Sequence, residues 1–112
     1  MSFRKLFSDA IVNWPWTDSA YPSLDGASAR ELDRFARHHV LLHALKSLGG
    51  LAAIEEALDH GKKLHHGTRR KFKTLAAKMI INGFQLAHLA GLDADGLARE
   101  IRAVIAAGLK DR

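Results

Sequence analysis

Cysteine is absent from this chain, which excludes disulfides, thiolate metal sites and a cysteine nucleophile. That fits a reducing compartment. Proline is scarce, and the two present, Pro15 and Pro22, fall in one stretch. No apolar run is long enough to span a bilayer. The N-terminal MSFRKLFSDAIVNW is interrupted by Asp9 and Asn13, and no cleavage site follows, so it makes a poor signal peptide. A cytoplasmic protein with no transmembrane segment is the expectation. Also missing are a G-x-S-x-G elbow, a Walker loop, a dinucleotide fingerprint and an HExxH pair. Glu55 and Glu56 are adjacent and would diverge on a helix. A non-enzymatic protein without a cofactor is therefore expected.

The most telling shortage is of acid. Residues 60–92 hold seven Lys/Arg and not one Asp or Glu. Residues 1–59 carry six cations against eight acids, and residues 93–112 carry four of each. The net charge of +5 thus arises wholly in the middle of the chain. Such a block attracts phosphate or an acidic partner through long-range electrostatics. The competing reading is a solvated helix end beside a loop.

What is present reads as helix. With 112 residues, 47% hydrophobic and 26% charged, the chain has ordinary globular composition and fits one domain. Phe3, Leu6, Phe7, Ala10, Ile11 and Trp14 give residues 1–14 one apolar helical face, with Ser2 as its cap. Pro15 stops that helix. Residues 15–27 form an aromatic loop around Trp16 and Tyr21. Trp14, Trp16 and Tyr21 either staple this loop to the core or anchor a partner.

Ser28 and Glu31 make an S-x-x-E capping box and open a helix over 28–48. Val40, Leu41, Leu42, Leu45 and Leu48 wrap most of its circumference, which predicts burial. Gly49-Gly50 ends it, and a short helix follows over 51–60 with Gly61 beyond its end. Thr68 is placed to cap a central helix over 68–90, apolar on most sides, with Lys78, Asn82 and Gln85 on one polar strip. Asn82-Gly83 is a turn signal, and a kink or break there is the rival to one continuous helix. Gly91 closes it. Asp93 caps a last helix over 94–107, with Leu92 and Leu97 as a hydrophobic staple and Gly108 as its stop. The expected fold is all-α: a compact bundle of about five helices around a central helix near residues 69–90.

Four sets of residues could carry function. The basic block, Lys62, Lys63, Arg69, Arg70, Lys71, Lys73 and Lys78, lies about a helix N-terminus, whose N–H groups add to an anion site. Nucleic acid or an acidic protein surface is the partner class it implies. In FQLAHLAGLDADGLAREIR, Ala87, Gly91, Leu92 and Leu97 give a small residue, a turn glycine and flanking apolar residues. This resembles the helix-turn-helix of DNA-binding repressors over about twenty residues. The resemblance implies contacts from Arg99 and Arg102. The chain departs from it at Glu100, where an aliphatic residue is usual, and at Asp93 and Asp95, which would repel phosphate. The same residues also make an ordinary helical hairpin.

His39 and His43 stand at helical i, i+4 spacing among seven histidines and could share a metal ion or haem if a third ligand came from elsewhere. They equally fit an interface between helices. Finally, Ile81 and Phe84, with the aromatic loop, are candidate contacts for a homo-oligomer or a larger assembly.

Overall fold

A computed structural model describes residues 2–13 and 21–111. The described residues form four α-helices and no strand: α1 Phe3–Val12, α2 Ala29–Asp59, α3 His66–Leu89 and α4 Ala94–Lys110. One turn of 3₁₀ helix, Pro22–Leu24, precedes α2. The all-α expectation holds, but the count of five does not. The segments expected as helices 28–48 and 51–60 are one helix of 31 residues that runs through Gly49-Gly50.

The reason is tertiary. Each glycine costs a helix interior about 0.5–1 kcal/mol relative to alanine. Gly50 faces α3 so closely that a Cβ there would lie 2.9 Å from Leu75 Cδ1. Contact along the whole of α3 outweighs the local weakness, as packing usually does in long helices.

The helix starts are mostly those of the sequence. Ser2 Oγ accepts from Lys5 N (3.1 Å) at α1. Ser28 Oγ accepts from Glu31 N (3.2 Å) and its hydroxyl donates to Glu31 Oε1 (3.1 Å). Asp93 Oδ1 accepts from Gly96 N (2.7 Å). The central helix differs: it begins at His66, with His65 in the cap position, so Thr68 lies inside it. α1 ends at Val12, where Asn13 Nδ2 donates back to Asp9 O (2.9 Å). Gly61 (φ 81°) and Gly91 (φ 89°) close α2 and α3 in the left-handed conformation that glycine tolerates. In each case the following N–H reaches back five residues: Lys62 to Ala57 O (3.1 Å) and Leu92 to Ala87 O (3.0 Å). α3 runs unbroken through Asn82-Gly83, as the expected continuous helix does, and the rival break there does not occur. Asn82 is buried and its Nδ2 donates to Gln85 Oε1 (3.1 Å) within the continuing helix. Gly108 likewise lies inside α4, which runs on to Lys110.

α2 and α3 pack as a long hairpin. Ala36, Val40, Ser47 and Ile54 are buried on α2, with Val40 fully sealed at 0% exposure. α1 lies across the C-terminal half of α3 and the start of α4. There Phe7, Ala10, Phe84, Ala87 and Ala94 form the main hydrophobic cluster, flanked by Ile11, Ile81, Leu92 and Leu97.

α3 is therefore central but not covered on most sides, and Ile80 remains 59% exposed. The bundle is also not compact. Its radius of gyration is 17.1 Å, against about 13 Å for a compact chain of this length. Among the described residues no helix is long and apolar enough to cross a membrane.

Candidate functional site

The α2–α3 hairpin presents the basic block at its turn. Lys62 and Lys63 lie in the connector, while Arg69, Arg70, Lys71 and Lys73 occupy the first two turns of α3. All are exposed, as is Lys78 further along. At about 100° per residue, Arg69, Arg70 and Lys73 share one side of α3, and Lys71 and Lys78 the other.

Among the described residues, the ion pairs are Arg4–Asp95, Lys5–Asp9, Arg37–Asp33 and the longer His60–Glu56. None uses a cation of the block. Asp59, three residues before Lys62, is the nearest carboxylate in sequence and enters no ion pair among the described residues. A cavity of about 270 Å³ opens at the hairpin turn, with Ile54, Ala57 and Leu58 as apolar floor and Lys62, Lys63, His65 and Thr68 as polar rim. The unpaired N–H groups at the start of α3 add partial positive charge at the same end.

Arg99 and Arg102 are not gathered with this block. They sit on α4, beyond the opposite end of α3, whose 24 residues span about 36 Å. There they line a groove with Ser2, Phe3, Arg4, Asp95 and Ile101.

The first turn of α4, which a helix-turn-helix would offer to DNA, is occupied by α1. Arg4 donates to Asp95 through Nε (3.0 Å) and Nη2 (2.7 Å). That fork holds the Asp95 carboxyl below its ordinary range and raises the Arg4 guanidinium. Ala94 and Gly96 are buried beside it.

The histidine pair is brought together but not completed. The His39 and His43 ring centroids are 5.0 Å apart, and His39 also stacks on Phe35 at 4.8 Å. Among the described residues no three His, Asp or Glu gather as a metal-holding group. The His43 pKa is lowered, first by desolvation and then by the nearby His39, Lys46 and Lys78. The two lysine charges also oppose a bound cation.

Tyr21 joins this aromatic cluster, with its ring 5.1 Å from Phe35 and 4.8 Å from His39. Trp14 and Trp16 lie outside the described residues. Phe84 is inside the main cluster, edge-on to Phe3 (5.5 Å) and tilted against Phe7 (5.7 Å), with Ile81 half-buried beside it. The exposed part of that region is Ile80, which shares an apolar hollow of about 550 Å³ with Leu6, Ala10 and Ala77.

Sequence reasoning missed the largest apolar surfaces. Leu41, Leu42, Leu45 and Leu48 on α2 are exposed rather than buried. So are Ile101, Val104, Ile105 and Leu109 on α4. Their helical spacing was visible in the chain, but spacing alone does not say which stripe meets a neighbour.

The chain matches no protein-family model, no curated protein and no solved structure.

Proposed function

We propose that this protein is a non-enzymatic binding module whose basic hairpin turn engages a polyanion, with nucleic acid as the partner class. The observation that carries this reading is the state of the block: seven exposed cations, none paired to a carboxylate among the described residues. Elsewhere in the chain Arg4, Lys5 and Arg37 do find acids. The cavity rimmed by Lys62, Lys63, His65 and Thr68 at the start of α3 supports it, because that rim can present N–H and ammonium donors to one phosphate. Arg99 and Arg102, on the far side of α3, form a secondary contact at most.

The reading is tested with fluorescently labelled DNA and RNA oligonucleotides titrated at several salt concentrations. Contact with five phosphates implies that affinity falls about 500-fold between roughly 50 and 200 mM salt. Reversing Arg69, Arg70 and Lys71 to Glu should abolish binding and flatten that slope. Binding unchanged by the triple reversal removes the proposal. Binding that survives nuclease treatment of a native pull-down would instead indicate an acidic protein surface as the ligand of the same turn.

A further inference from the structure

Two exposed apolar stripes on this chain share one spacing. Leu41, Leu45, Leu48 and Ala52 of α2 follow one another at steps of four, three and four residues, and so do Leu97, Ile101, Val104 and Gly108 of α4. At about 100° per residue each set falls within about 60° of arc. This is the narrow seam of a coiled coil, and its positions pack into a facing helix of like spacing.

Neither seam is filled within the chain. The α2 seam lies about 135° around the helix from the face that meets α3, and Leu45 on it is 63% exposed. The α4 seam starts on the core at Leu97, which is half-buried. It then continues into solvent, where Val104 is 70% exposed. The protein as a whole shows 8587 Å² of surface, whereas a compact chain of its mass shows about 6,100 Å². The excess of about 2,500 Å² exceeds the roughly 800 Å² that each partner buries in a standard interface. Obligate dimers bury roughly 1,000–2,500 Å² per partner, and the excess reaches the top of that range.

The two seams are complementary in volume when laid antiparallel. Leu41 then meets Gly108, Leu45 meets Val104, Leu48 meets Ile101, and Ala52 meets Leu97. Each end pairs a large residue with a small one, and the middle layers pair two branched aliphatics, which keeps the cross-section even. Ile105 and Leu42, both exposed, flank the seam on one side.

Asp111 comes to the end of α2 that carries Arg34, Arg37 and His38. Residues 93–112 have four cations and four acids, so α4 brings no net charge to the contact. The start of the partner's α4, with Asp93 and Asp95, comes to the end of α2 that leads into the basic turn, whose charge is of opposite sign.

We infer that this protein is a homodimer in which α4 of each copy lies antiparallel along α2 of the other, in the register Leu45–Val104. The contact is reciprocal and closes with two-fold symmetry, so it consumes both seams and leaves no open end. It is independent of what the basic turn binds.

The chain has no cysteine of its own, so engineered thiols report the register without background. Light scattering of the unaltered protein should give twice the 12.3 kDa chain mass. Val104→Glu should give the single mass with its helix content retained, because Val104 contributes little to the protomer's own packing. Under oxidation, Leu45→Cys mixed with Val104→Cys should give a covalent dimer, and each variant by itself should not.

A cross-linked dimer from Val104→Cys alone, or from Leu45→Cys alone, overturns the register, since it pairs like helices. A single-mass protein overturns the dimer, whether it stays free or adsorbs to neutral or anionic lipid vesicles through the same stripes.

Discussion

A Cβ placed on Gly50 would lie 2.9 Å from Leu75 Cδ1. α2 and α3 therefore approach at a spot where a side chain on one helix would need the other's leucine to move. Gly49, its neighbour, has nothing within 4 Å of the same construction. The two glycines thus separate a local cost from a tertiary one. Gly49→Ala should raise stability by about 0.5–1 kcal/mol, through helix propensity and a less flexible unfolded chain. Gly50→Ala should gain less, because Leu75 must change rotamer. Gly50→Val should lower stability by about 1–3 kcal/mol through overpacking. Urea unfolding followed by circular dichroism measures all three, and equal gains from both alanine variants would rule out the close approach.

Asn82 and Gln85 form a buried polar pair on α3, and Asn82 Oδ1 has no partner among the described residues. An unpaired buried acceptor costs roughly 1–3 kcal/mol. Gln85→Leu removes the acceptor for Asn82 Nδ2 and should destabilise the protein by about 1 kcal/mol or more. The double change Asn82→Leu with Gln85→Leu removes every polar atom of the pair. It should be more stable than the unaltered chain by roughly 1 kcal/mol. Thermal denaturation of the three proteins decides it. A double variant weaker than Gln85→Leu would mean the amides do more than satisfy each other.

Acid should weaken the fold through His43 before it reaches any carboxylate. The His43 pKa lies below its ordinary 6.5 in the folded chain, chiefly from desolvation and then from His39, Lys46 and Lys78. The unfolded chain therefore binds the proton more readily. The stability that depends on neutral His43 is complete above about pH 6.5 and is lost as pH falls from there through the folded value. His43→Gln should flatten the decline in melting temperature across that window.

Lys78→Gln should move the His43 titration upward in an NMR experiment, and no movement would remove Lys78 as a cause. Asp95, held low by Arg4, contributes in the opposite range. Its share is present above the ordinary carboxylate pKa and disappears only in stronger acid, so the two events are separable in one pH series.

Local chemistry was readable wherever one residue acts on its neighbours. Ser2, Ser28 and Asp93 cap helices as their positions imply, and Gly61 and Gly91 turn the chain with positive φ. Gly49-Gly50 misled, because its turn propensity is small beside the contacts of a long hairpin. Leu41, Leu45 and Leu48 misled for a related reason. Periodicity shows that a face is apolar, but whether it is covered depends on where the next helix goes. The basic block was legible as charge, while its freedom from ion pairs rests on where the acids ended up.

The order of residues alone determined an all-helical chain without disulfides, its main caps and stops, and a central block of unopposed positive charge. Each of these follows from interactions within a few residues or from composition. Tertiary structure decided that α2 is one helix, that Phe84 rather than Ile80 enters the core, and that Arg4 holds the start of α4. It also decided that the leucine seam of α2 and the aliphatic seam of α4 face outward. Those outcomes depend on which surfaces meet across the chain, and contact between distant residues overrides local preference when it buries more area than the preference is worth.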